Sequence, residues 1–299
     1  MSKQEKRIAV PGGELAVVDH GGTGHDVLLV HSVCHASPVW DAVAGLLTQH
    51  ARVVVVDMRG HGQSTADTTR VEQIPEDLAL VIDELSLDRP VVVGYDVSGG
   101  FATAVAASHP DEVGGLVIID SPVVGTQEEV RDIVRTVGSE AIVTMLTERF
   151  GLGKTGADTA SMEAFLDHYS ALNTQDWLSV APDAAGTRAL LQRMMLVAED
   201  GSWIYRPTPE SVRAMTADPD GSTYQPGVEL IAEVEAPVTV VTLSRGRNGA
   251  GGDELVELAA SRDDVRIARL DGDTYVLYNA PEILVREIRD VIAAVEKAS

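Results

Sequence analysis

Chemistry concentrates in the stretch Val91-Val92-Val93-Gly94-Tyr95-Asp96-Val97-Ser98-Gly99-Gly100. A run of β-branched residues reaches a glycine, and two residues later stands an aspartate. Small residues and a helix-forming segment, Phe101 to Ala107, follow. The order reads as strand, tight turn, helix. Small residues on either side of Asp96 let the backbone bend sharply enough to expose its side chain. A carboxylate presented in this way can attack carbon or take a proton. It can also do neither, and simply cap the helix that follows.

The rest of the chain supplies what such a turn needs. Val27-Leu28-Leu29-Val30-His31 and Arg52-Val53-Val54-Val55-Val56-Asp57 are continuous apolar runs, as expected of strands covered on both faces. Arg7 to Val10 and Glu14 to Asp19 alternate around Pro11-Gly12-Gly13, as a hairpin does. Helical spacing follows over Val39 to Leu47 and Ile74 to Leu85. The elbow helix runs to Ser108, and Gly115 to Asp120 gives a sixth strand. Strands alternating with helices predict a mostly parallel, twisted sheet with helices on both faces.

The alternation stops between Pro122 and Pro226. Helical stretches occupy this region, near Glu128 to Phe150 and Met162 to Leu172, and no clear buried strand does. It holds seven of the twelve aromatic residues, so it is expected to cover an apolar cavity. Alternation resumes at Pro237 to Leu243, then Glu254 to Ser261, Val265 to Leu270, and a final helix over Pro281 to Lys297. The organisation predicted is a core of residues 1–121 and 227–299 with a helical cap, 122–226, inserted after strand 6.

With 44% hydrophobic residues over 299 positions, the chain can bury a large core. The formal charge of −23 repels phosphate backbones, which argues against a nucleic-acid partner and otherwise serves solubility. One cysteine, Cys34, rules out an internal disulfide and fits a reducing compartment. The charged N-terminus has no apolar run behind it, and no run is long enough to span a bilayer. A soluble cytoplasmic monomer or homodimer without a membrane partner is the expectation. The histidines have no metal-site spacing, and the loop Arg245 to Gly252 lacks a phosphate-cradling pattern, so neither metal nor cofactor is expected. That loop reads as mobile.

His31, Trp40, the run Asp57-Met58-Arg59-Gly60-His61-Gly62-Gln63-Ser64 and the elbow, in this order and spacing, resemble the α/β-hydrolases over most of the chain outside the cap. Aspartate at the elbow resembles the epoxide hydrolase and haloalkane dehalogenase branches. There the carboxylate forms an alkyl-enzyme ester that a histidine-activated water cleaves. The resemblance implies Asp96 as nucleophile and the N–H groups of Val33 and Val97 as oxyanion hole. It implies cap tyrosines as proton donors, with Tyr169, Tyr205 and Tyr224 as the candidates. His35, Trp177, Trp203, Thr274, Tyr275 and Asp120 are expected around the substrate. Each tyrosine alone reads equally as packing, and His61 reads as structural.

Three departures matter. Val97 stands where dehalogenases place a halide-binding tryptophan, and neither it nor the His31-Ser32-Val33 stretch is expected to hold a halide. Seven residues before Pro281, where the family keeps its catalytic histidine, stands Thr274, and no histidine occurs after His168. The loop Leu243-Ser244-Arg245-Gly246-Arg247-Asn248 lacks the usual acid. Asp120 can take the alternative acid position, yet without a histidine it has nothing to orient. Val33-Cys34-His35 with Asp120 also resembles the cofactor-free dioxygenases that cleave quinolone rings, which need the same absent base. A Cys34–His35 dyad is disfavoured because adjacent side chains point apart.

The expectation is therefore an atypical enzyme that opens or rearranges an epoxide or similar strained group on a bulky, apolar or aromatic, polycyclic natural-product intermediate. Asp96 would act as base or nucleophile, with cyclisation or addition favoured over hydrolysis. The alternatives are an epoxide or ester hydrolase with another water-activating group, and a ligand-binding protein on a degenerate hydrolase scaffold.

Overall fold

The structure is a computed structural model that describes residues 3–172, 181–249 and 251–298. The chain begins with the hairpin β1 (Gln4–Val10) and β2 (Gly13–Gly21), continues through β3 (His25–Val30), α1 (Asp41–Leu47), β4 (Ala51–Asp57) and α2 (Gln73–Glu84), and reaches β5 (Val91–Tyr95), α3 (Ser98–Ser108) and β6 (Gly115–Ile119). These strands, with β10 (Val238–Arg245) and β11 (Val265–Asp273), make one eight-stranded sheet in the order β1-β2-β4-β3-β5-β6-β10-β11. The hairpin pairs antiparallel and β2 pairs antiparallel to β4, while every other neighbouring pair is parallel. All residues of β5 and β6 are buried, which is why both are unbroken apolar runs.

Strand register decides which loops meet. Val30 pairs with Gly94, Tyr95 with Ile119, and Ile119 with Val241. Hence β3, β5 and β6 end within a residue of one another, β10 runs on past Val241 to Arg245, and residues 31–35, 96–97, 120–121 and 246–248 emerge at one edge. The chain leaves β3 toward β4 on one side, and β5 lies on the other. A crevice at such a switch point is where open α/β sheets bind ligands.

Between β6 and β10 the chain forms the cap: α4 (Gln127–Val137), α5 (Glu140–Phe150), β7 (Thr155–Gly156), α6 (Thr159–Ala171), α7 (Ala184–Arg193), β8 (Met195–Val197), β9 (Trp203–Tyr205) and α8 (Pro209–Met215), then α9 (Val228–Ala232) on the way back to the sheet. The helical stretch expected from Glu128 to Phe150 is two helices. The first opens with a Thr126/Glu129 capping box, and the break falls at Gly138-Ser139. The cap is also not purely helical, because β7, β9 and β8 form a small antiparallel sheet. The chain closes with α10 (Asp253–Ser261), α11 (Val276–Asn279) and α12 (Pro281–Ala298).

The two ends of the cap meet at a neck. The Val228 N–H donates to Gly125 O at 2.8 Å, the Gln127 N–H to Glu229 Oε2 at 2.9 Å, and Gln127 Nε2 to Gln225 O at 3.1 Å. A second fastening lies at the loop after β4. Arg193 Nε donates to the fully buried Asp57 carboxylate at 2.8 Å, and Gln63 Nε2 donates to the carbonyls of Arg193 (2.8 Å) and Met195 (2.6 Å). Among the described residues no helix is long and apolar enough to cross a membrane.

Candidate active site

Asp96 sits at the turn between β5 and α3 with φ 55°, a left-handed conformation that costs a non-glycine residue free energy and marks functional turns. Its neighbours explain how the turn closes. A Cβ on Gly94 would lie 2.4 Å from Ser98 O, and one on Gly99 would lie 2.5 Å from Ser121 Oγ. Ser98 Oγ accepts from the Tyr95 N–H at 2.9 Å and lies 2.8 Å from both Val30 O and Tyr95 O. The strained backbone is thus pinned from three sides.

The carboxylate does not cap α3, whose N-cap is Val97 with no side-chain hydrogen bond. Ser32 Oγ donates to Asp96 Oδ2 at 2.8 Å and Asn248 Nδ2 donates to Oδ1 at 3.2 Å. Arg247 Nη1 lies 3.8 Å from Oδ2. Burial pushes the Asp96 carboxyl above its ordinary range, with Asp120 adding to the rise, while Arg247, Ser32 and Asn248 oppose it. The Ser32 hydroxyl is thus a donor committed to the elbow carboxylate.

Asp120, also left-handed at φ 44°, is 2% exposed. Its oxygens accept the backbone N–H groups of Arg247 at 3.0 Å and Asn248 at 3.2 Å. The carboxylate is therefore spent on the loop after β10 instead of facing a substrate. That loop, expected to be mobile, is held at residues 246–248.

The oxyanion residues meet at a cavity. Val33 lies in the turn Ser32–His35, closed by the His35 N–H on Ser32 O at 3.1 Å with Cys34 at φ 61°. Among the described residues neither the Val33 nor the Val97 N–H has a protein acceptor. Both residues line an apolar cavity of about 110 Å³, together with Phe101, Val134, Met215 and Tyr224. Its roof is the cap, through α4, α5 and α8.

The candidate tyrosines separate clearly. Tyr224 lines the cavity and stacks on Phe101 at 5.2 Å, and burial raises its phenol, so it stays protonated. Tyr169, Tyr205 and Trp203 instead pack around Phe165, at ring distances of 4.4, 4.9 and 5.3 Å, in the interior of the cap. Tyr205 donates to Met194 Sδ at 3.5 Å, and Trp203 Nε1 donates to Ser161 Oγ at 3.1 Å. Those three do not line the cavity, which corrects their assignment. Trp177 lies outside the described residues.

All eight histidines are described, and none is hydrogen-bonded to Asp96. His31 accepts the Met58 N–H on Nε2 at 3.0 Å, so its Nδ1 donates to Ser32 O. Burial lowers His31 and His61 to about 3 and His35 to about 4, leaving all three neutral at neutral pH. His35 Nδ1 bonds Val33 O at 3.0 Å and its ring meets the edge of Tyr95. His168 faces solvent. The Cys34 thiol is pushed up to about 12 by burial, with Asp96 adding to the effect, so it is no nucleophile. Tyr95 donates to Thr274 O at 2.8 Å, which ties the segment in the missing histidine's position to the residue before Asp96. Tyr275 is part-buried beside it, and its hydroxyl has no partner among the described residues. Also among the described residues, no group of three or more His, Cys, Asp or Glu side chains converges on a metal position.

Ser32, Arg247 and Asn248 are the residues that sequence reasoning did not place. Their signal was present as departures: serine where a glycine usually follows His31, and Arg-Asn where an acid is usual.

A family match described as alpha/beta hydrolase fold covers residues 27–141. Among curated relatives, lipase LipV of Mycobacterium tuberculosis is 31% identical over 123 residues, 40% of this chain and 47% of that protein. The curated relatives matched are spanned over only 37–47% of their length. Among solved structures, E-2-(acetamidomethylene)succinate hydrolase superposes with a TM-score of 0.70 at 20% identity, over 97% of this chain and 99% of that one. The haloalkane dehalogenase DbeA of Bradyrhizobium elkani superposes with a TM-score of 0.65 at 18% identity, over the whole of both chains. At such identities the structural likeness shows the fold. With the elbow, the sheet order and the cap in place, the chain has the α/β-hydrolase fold, and residues 27–141 are similar to the family of that description.

Proposed function

We propose that this protein is an enzyme that opens or rearranges an epoxide or similarly strained group on a bulky apolar molecule held beneath the cap. One observation carries the reading. The Asp96 carboxylate is held by Ser32 and Asn248, its chain neighbour Val97 lines the apolar cavity, and no histidine is bonded to the carboxylate to activate water. A carboxylate raised by burial is suited to taking a proton near neutral pH. Asp96 removes a proton from a hydroxyl or acidic C–H of the substrate, and the freed electron pair attacks one epoxide carbon. The C–O bond breaks toward the epoxide oxygen, Tyr224 supplies its proton, and the proton on Asp96 restores the phenol. The sum is an isomerisation that consumes no water. Because the hydroxyl and amide donors occupy both carboxylate oxygens, the N–H groups of Val33 and Val97 are left to receive a substrate oxygen, which favours Asp96 as base.

Hydrolysis is the second reading, favoured by the same two N–H groups, which suit an acyl oxyanion. Turnover of aryl and polycyclic epoxides in ¹⁸O-water, with peptide mass spectrometry of Asp96, separates the two. The expected result is an isomeric product without ¹⁸O and an unmodified Asp96. Solvent oxygen in the product, or an ester on Asp96, would overturn the isomerisation.

A further inference from the structure

We propose that Asp120 is a positioning residue which, by gripping the backbone of residues 246–248, sets Asn248 and Arg247 against Asp96 from the loop in which this fold ordinarily carries an acid. The inference rests on the reading of Asp96 as the reactive carboxylate.

The geometry is specific. Asp120 is itself fixed to β10, since its N–H donates to Val241 O at 2.9 Å. It then holds the loop leaving that strand by two backbone N–H groups, one on each carboxylate oxygen. Gly246 passes so close that a Cβ there would lie 2.3 Å from Asp120 Oδ1. Asn248 Nδ2 completes the link, donating to Asp120 O at 2.6 Å and to Asp96 Oδ1 at 3.2 Å. Turning the amide would break both bonds. One buried acid thus determines where the donors to the other acid stand, over a path of single hydrogen bonds.

The competing roles for Asp120 make opposite predictions. As a bare negative charge near Asp96 it disfavours the Asp96 carboxylate, so neutralising it would move Asp96 titration to lower pH. As a positioning residue it favours the carboxylate through Asn248 and Arg247, so the same change moves titration to higher pH. The groups acting on Asp96 are Arg247, Ser32, Asn248 and Asp120, with the buried Cys34 and Tyr95 feeling its charge in turn.

The test follows methylation of Asp96 by trimethyloxonium ion, a general carboxylate reagent unrelated to the substrate, against pH, read by peptide mass spectrometry on the full chain, since only the ionised carboxylate reacts. For Asp120→Asn the midpoint should rise, and below it the rate should fall about tenfold, the size set by losing one hydrogen bond to a charged group. Asn248→Ala should do the same, and the double variant should go no further than either. A midpoint that falls or stays in place for Asp120→Asn would overturn the proposal, as would additive effects. If Asp120→Asn does not fold, Gly246→Ala keeps the charge and displaces the loop, and the same rise is required of it. Because the readout is Asp96 ionisation, absence of epoxide turnover would refute the proposed function and leave this result standing.

Discussion

Arg193→Met tests whether the cap is held to the core by a buried charge. Asp57 is fully buried and its carboxylate accepts three bonds: the Ser37 N–H at 2.7 Å, the Gln63 N–H at 3.1 Å and Arg193 Nε at 2.8 Å. Removing the cationic partner of a wholly buried carboxylate costs about 3–5 kcal/mol. Here two N–H donors remain and the Arg193 side chain is 17% exposed, so about 2–3 kcal/mol is expected. The second partner of Arg193, Glu5, is 38% exposed and adds less than about 1 kcal/mol. At about 2 °C per kcal/mol for a chain of this size, Tm should fall by about 4–6 °C. Hydrogen exchange should rise first in α7 and at Gln63, which bonds Arg193 O. The mechanism also makes a sharper demand. If the cost is an uncompensated charge, Asp57→Asn in the Arg193→Met background must recover part of the loss. A single variant within about 0.5 kcal/mol of the parent, or a double variant no more stable than the single, refutes the reasoning.

Asp96→Asn should abolish turnover and stabilise the fold. Burial raises Asp96 above 3.8, so between that pH and its folded value the folded chain keeps a proton the unfolded chain has lost, and stability falls as pH rises. The variant should melt above the parent at neutral pH, with the gap closing toward pH 3; a gap that is constant with pH would contradict this. Ser32→Ala removes a 2.8 Å bond to the Asp96 carboxylate, so turnover below the midpoint of the pH profile should fall about tenfold and recover at higher pH. An unshifted profile would place Ser32 outside the chemistry. In Gly100→Ala the new Cβ meets the Tyr224 hydroxyl oxygen at 2.3 Å, so kcat should drop while the melting curve moves little. Unchanged kcat would remove Tyr224 from the reaction.

The elbow was legible because its constraint is local. A turn this tight excludes side chains at Gly94 and Gly99, and that exclusion is written directly into residue type. The buried strands were equally plain, since burial on two faces demands uninterrupted apolar runs. The donors to Asp96 were not legible. Ser32, Arg247 and Asn248 converge only because β3, β5, β6 and β10 lie side by side with their C-terminal ends at one edge, a fact of sheet order and register that no linear pattern carries. Read along the chain, Arg247-Asn248 was a lost acid; folded, it is a pair of donors to Asp96. The cap sheet was missed because strands of two or three residues are too short to show a period. Cap aromatics were ambiguous for another reason, since a ring that fills a cap interior and one that lines a cavity are the same residue type. Only packing separates Tyr169 and Tyr205 from Tyr224.

The neck that joins residues 125–127 to 225–229 has a consequence for how this scaffold can change. About one hundred residues leave and return through this neck, and apart from the fastening at Asp57 and Gln63 the eight-stranded sheet does not register how long the excursion is. Loop closure is already paid at the base, and lengthening or replacing what lies above it adds only a slowly growing entropy. The roof of the cavity, carried by α4, α5 and α8, can therefore be exchanged as a cassette while the floor, with Asp96 and its donors, is inherited intact. The shape of the cavity and the cradle of Asp96 thus sit on different parts of one chain, with Tyr224 beside the neck that joins them.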